Sequence, residues 1–71
     1  MKVGDIYKYK HLASIIKVRI IDREEAIQRR GILFVEAFER NEPEYLFAYD
    51  ERMDMTRAVH KPFLKKYGVK L

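Results

Sequence analysis

The chain has 71 residues, no cysteine and a formal net charge of +4. A chain of this length makes one domain, 1–71, burying only about 60% of the surface its unfolded form exposes, and without cysteine neither disulfides nor thiolate metal ligands supplement its core. No run approaches the ~18 apolar residues of a membrane span and the opening MKVGDIYKYK lacks the apolar core of a signal peptide, so we expect a soluble cytoplasmic protein with no membrane association.

The first predicted strand runs from Asp5 to His11, where Ile6, Lys8 and Lys10 alternate with Tyr7, Tyr9 and His11. A second, Ser14 to Asp22, sets Ile16, Val18 and Ile20 on one face. Between Asp22 and Gly31 the residues support a long charged hairpin loop. Asp22 followed by Glu25 resembles a capping box, and Gly31 sits where a helix would stop, so a helix at about 23–30 is the alternative. Strands are predicted at Ile32 to Arg40 and Glu44 to Asp50, forming a hairpin across Asn41-Glu42-Pro43. Met55 to Val59 reads as a last strand. Pro62 disfavours a long helix there but is tolerated in a first turn, so a helical turn is placed at Pro62 to Tyr67, closed by Gly68.

Five short strands and a late helical turn fit a mainly β fold, a small five-stranded SH3-like barrel, with an α+β arrangement as the alternative. Gly4, Asp5, Tyr7, Lys8 and His11 at the front, with Thr56, Arg57, Phe63, Leu64 and Tyr67 at the back, resemble small SH3-like proteins of unknown function found in bacterial and phage genomes. Pro62 and the long Asp50 to Asp54 segment depart from that pattern. The resemblance implies a fold far more than an activity. By analogy it suggests a phage or mobile-element accessory protein acting on a host protein.

No catalytic constellation is found. The carboxylate pairs Glu24-Glu25 and Asp50-Glu51 sit in polar segments where solvent keeps them ionised. His11 and His60 are the only histidines, and no cysteine completes a zinc site with them. Gly4, Gly31 and Gly68 are isolated, which excludes a glycine-rich phosphate loop. We therefore expect a non-enzymatic protein with no cofactor and no metal.

Two binding surfaces are predicted instead. Five tyrosines and four phenylalanines are many for one small core. Tyr45, Phe47 and Tyr49 alternate with Leu46 and Ala48, and the preceding run carries Phe34 and Phe38, so the predicted hairpin is apolar on both faces. Either the C-terminal turn at Phe63, Leu64 and Tyr67 covers the second face, or that face docks a protein partner or a second copy of the chain. The residues of this first surface are Phe34, Phe38, Tyr45, Phe47 and Tyr49, with Arg40 and Glu44 as rim charges.

The second surface is electrostatic, because charge is distributed unevenly along the chain. Residues 1–20 carry five Lys/Arg against Asp5, residues 21–51 carry four Arg against nine Asp/Glu, and residues 52–71 carry six Lys/Arg against Asp54. If the first strand pairs with Met55 to Val59, Lys8, Lys10, Arg57, Lys61, Lys65 and Lys66 gather on one side, with Tyr7 and Tyr9 between them as stacking platforms for nucleic acid. Protein binding is the first expectation and nucleic-acid binding the alternative.

Overall fold

The structure, a computed structural model, describes residues 1–41 and 44–71. Strand β1 (Ile6–His11) turns back at Leu12 and Ala13 into β2 (Ser14–Ile20), in full antiparallel register from Ile6 opposite Arg19 to His11 opposite Ser14. Gly4, at φ 95°, donates its N–H to the Ile20 carbonyl, and Ile20 donates to the Asp5 carbonyl, both at 2.8 Å. That corner needs the left-handed conformation glycine adopts without strain.

Two helices follow. Helix α1 (Arg23–Arg30) starts at Asp22, whose carboxylate accepts from the Glu25 N–H at 2.8 Å. Glu24 and Glu25 in its first turn and Arg29 and Arg30 in its last suit the helix dipole. Gly31, at φ 91°, stops it by donating to the Ile27 carbonyl. The chain then re-enters a helix, α2 (Ile32–Asn41).

This corrects the expected strand at Ile32 to Arg40 and its hairpin with Glu44 to Asp50. Phe34, Val35 and Phe38 share one helical face at i, i+1 and i+4, whereas a strand would put Glu36 on the same face as Phe34 and Phe38. The helix buries Val35 completely and leaves Leu33 outside. The expected connection at Glu42 and Pro43 lies outside the described residues. The long charged loop expected between Asp22 and Gly31 is likewise replaced by its alternative, the helix.

Strands β3 (Tyr45–Asp50) and β4 (Met55–His60) form the next hairpin, from Tyr45 opposite His60 to Asp50 opposite Met55. A helix α3 (Lys61–Tyr67) follows with Pro62 in its first turn, and a two-residue strand β5 (Val69–Lys70) returns beside Tyr7 and Lys8. Among the described residues the result is an open antiparallel five-stranded sheet, order β4-β3-β2-β1-β5, with three helices. β1 therefore pairs with β5, and not with the strand at Met55.

Period-two alternation gives the sheet two faces, and both are used. On one, Tyr7, Tyr9, Ile16, Val18, Ile20, Ala48 and Val59 pack with Leu64 of α3, and Tyr9 meets Phe63 edge-on at 5.8 Å. On the other, Phe47 packs with Ile21, Ala26 and Val35 beneath α1 and α2. Arg23 clamps the two helices together by donating to Glu39 at 2.8 Å. Helices α1 and α2 cover the β3–β4 side of this second face. The β1–β2–β5 side of it stays open to solvent.

Candidate functional site

The aromatic surface expected to dock a partner is largely occupied by the chain's own helices. Phe47 is only 9% exposed, and Phe34 and Phe38 lie over the sheet, with ring centroids 6.0 Å from Phe47 and 5.4 Å from Tyr45 respectively. Tyr49 is held by Arg29, whose guanidinium lies 3.7 Å from the ring centroid, and by its hydroxyl donating to Asp54 at 2.5 Å. Arg40 is exposed in the last turn of α2, and the Glu44 carboxylate is 3.6 Å from His60 Nε2. The C-terminal turn expected as the cover lies on the other face, over Leu46 and Ala48.

The basic set also divides. Tyr7 and Tyr9 are buried beneath α3, so neither ring is offered to a base. Arg57 shares that face, where its Nε and Nη2 donate to Asp50 at 3.2 and 3.1 Å, and Asp50, buried, also accepts from the Met53 N–H. Lys61, Lys65 and Lys66 are exposed on α3, and Lys65 and Lys66 in its last turn suit the negative end of the helix dipole. Lys8 and Lys10 project from the opposite face.

That open face carries the feature with no structural explanation. Lys8 lies directly opposite Lys17, Lys10 opposite Ile15, and Ile6 opposite Arg19. Val69 of β5 is opposite Lys8, and the Leu71 N–H donates to the Ile6 carbonyl at 2.8 Å. The outward surface of β1, β2 and β5 thus consists of Lys8, Lys10, Lys17 and Arg19 among Ile6, Ile15 and Val69. Arg19 is engaged by Glu25 at 3.2 Å. Among the described residues Lys8, Lys10 and Lys17 make no ion pair. Glu51 lines the same groove as Lys17 without pairing to it.

Like charges directly opposite on a ladder destabilise it, and strands hold them in place more rigidly than a loop would. The charge on this face is therefore retained at a cost in stability. Sequence reasoning misses Lys17 as part of a basic surface, because its place opposite Lys8 depends on a two-residue turn at Leu12 and Ala13. That turn lacks the Gly, Asn or Asp that normally announces one. Leu12 adopts φ 57° there, a conformation costing a non-glycine residue about 1–2 kcal/mol, and it is 86% exposed.

Several other titratable groups are tied into the scaffold by ion pairs and hydrogen bonds. Glu25 accepts from both Arg19 and Arg29, which hold its carboxyl below the usual glutamate range. The Lys2 N–H, helped by Lys70, lowers the pKa of Asp5. Burial raises that of Tyr9, and the bond to Asp54 raises that of Tyr49. No group of three or more His, Asp or Glu converges as a metal site among the described residues. None of the described helices is long and apolar enough to cross a membrane.

Comparison with protein-family models, with curated proteins and with solved structures finds no match to this chain.

Proposed function

We propose that the protein is a small non-enzymatic module that binds the phosphate backbone of duplex nucleic acid through the outward face of β1, β2 and β5. The observation that carries this reading is Lys8 opposite Lys17, with Lys10 beside them, unneutralised on a rigid ladder. A polyanion relieves that repulsion, and release of its counterions supplies the driving force. A duplex is favoured over a single strand because sequence-tolerant single-strand binding stacks bases on aromatic rings, and Tyr7 and Tyr9 lie on the buried face.

The test is anisotropy of a labelled 20-base-pair duplex and of its single strand at low salt. The duplex is expected to bind more tightly. Absence of duplex binding at low salt, where electrostatics is strongest, would overturn the proposal.

The same reading takes the sheet as an SH3-like barrel left open, with α1 and α2 inserted between β2 and β3. Supporting it are the return of the last strand to β1 and the single short helix before that strand. Association with a protein or a second copy is the second reading. Its support has moved from the aromatic rings to Ile32 and Leu33, adjacent exposed residues on α2, Leu33 being 81% exposed. Light scattering at tens of micromolar separates the two readings: an apparent mass above 8.6 kDa that Leu33→Glu restores to the monomer favours association.

A further inference from the structure

Resting on the duplex-binding proposal, we infer that Leu12 is an apolar wedge that enters between base pairs and kinks the duplex held by Lys8, Lys10 and Lys17. Three observations at the β1–β2 turn lead there. Leu12 and Ala13 form a two-residue connection closed by His11 opposite Ser14, and such connections favour Gly, Asn or Asp where φ is positive. The residue at φ 57° is instead a leucine. It is also the most exposed large apolar side chain among the described residues, at 86%.

Leu12 therefore combines a strained backbone with a hydrated apolar side chain, and it belongs to neither core cluster. Strain of this kind clusters at functional sites. Ile15, 54% exposed and opposite Lys10, continues the apolar character from the tip onto the lysine face. The tip thus presents an apolar point backed by three unpaired cations.

The size of that point selects the partner. A stable protein interface takes about 800 Å² from each side, far more than one leucine and one isoleucine supply. A membrane surface calls for a broad apolar face, commonly with Trp or Phe, whereas the two tyrosines of β1 are buried and the exposed ring beside Leu12 is the polar imidazole of His11. Insertion between base steps uses single apolar side chains, leucine and isoleucine among them, flanked by cations that hold the backbone. Unstacking bends the duplex by about 20–90°.

A duplex carrying a donor and an acceptor dye at its ends reads the bend as a rise in energy transfer, and anisotropy on the same duplex reads binding. The full chain is expected to bind and to raise transfer. Leu12→Gly and Leu12→Asn, both suited to positive φ, are expected to bind with an unchanged salt slope, to leave transfer at the value of the free duplex, and to unfold at a higher temperature than the parent. Leu12→Met is expected to keep the bend. Binding without a rise in transfer, or a rise that Leu12→Gly preserves, would overturn the wedge and leave the duplex-binding proposal standing. A lower unfolding temperature for Leu12→Gly would contradict the strain on which the wedge rests. No duplex binding by the parent chain at low salt would overturn both.

Discussion

Lys8 and Lys17 stand directly opposite each other across the β1–β2 ladder, on the sheet face that α1 and α2 cover only on its β3–β4 side. Their side chains repel, no carboxylate among the described residues pairs with either, and the strands on which they sit cannot move apart without losing Tyr7, Tyr9, Ile16 and Val18 from the core behind them. Stability and binding therefore oppose each other at this pair. Lys17→Glu converts repulsion to attraction and is expected to stabilise the fold by up to ~1 kcal/mol, a rise of several degrees in Tm for a domain of this size. Duplex binding should weaken in the same variant. Thermal unfolding and anisotropy on one preparation check both signs.

Substitutions in the segment from Ile32 distinguish the helix from the expected strand. In α2, Val35 is fully buried and Leu33 is in solvent, whereas in a strand the two would share a face. Leu33→Glu is expected to change stability by less than ~0.5 kcal/mol, and Val35→Ala to cost about 2 kcal/mol through the cavity it leaves. Urea unfolding of both variants measures the difference; equal costs would contradict the helix.

Asp50 and Arg57 form a polar pair on the sheet face that α3 packs against. Asp50→Ala removes three hydrogen bonds, two from Arg57 and one from the Met53 N–H that shapes the β3–β4 turn. A loss of about 2–3 kcal/mol is expected, read by denaturant titration. Arg57→Ala should lower stability too and leave the salt dependence of duplex binding unchanged, because Arg57 is turned away from the lysine face.

Two tyrosines couple stability to alkaline pH. Tyr49, through its bond to Asp54, and Tyr9, through burial, titrate above the ordinary tyrosine value in the folded protein. The unfolded chain loses these protons near pH ~10, so above that pH it binds fewer protons than the native state and stability falls as pH rises. Their contribution is fully present below pH ~10 and is lost as pH climbs through the folded values. Tyr49→Phe should flatten that decline in a series of Tm measurements. On the acid side Glu25 and Asp5, both lowered, contribute stability that is lost as pH falls below about 4 and through their folded values.

Much of this architecture is written in short-range patterns. Alternation in Ile6 to His11 and Ser14 to Ile20 announces two strands, Pro62 marks the first turn of α3, and Asp22 with Glu25 marks the cap of α1. The segment from Ile32 misleads because Leu33, Val35 and Ala37 alternate with Phe34, Glu36 and Phe38, and its aromatic residues favour strands. Only the i, i+1, i+4 grouping of Phe34, Val35 and Phe38 beneath polar Glu36 and Glu39 signals the helix.

The candidate site was half legible. Period two places Lys8 and Lys10 on the face away from Tyr7 and Tyr9, which already separates the cations from the rings. Lys17 depends on register, and register depends on a turn whose residues, Leu12 and Ala13, carry no turn signature. β5 is two residues long, too short for any periodicity, and pairing of the last strand with the first rests on tertiary packing alone.

The salt dependence of duplex binding tests the central claim most directly. Three lysines each meeting one phosphate give a slope of log K against log salt near −2.7, at ~0.9 per contact. Lys8→Ala, Lys10→Ala and Lys17→Ala should each make the slope shallower by about 0.9, and Lys65→Ala with Lys66→Ala should leave it unchanged. A slope that the three sheet lysines do not alter, or that falls only when Lys65 and Lys66 are replaced, would contradict the assignment of the β1–β2–β5 face as the binding surface.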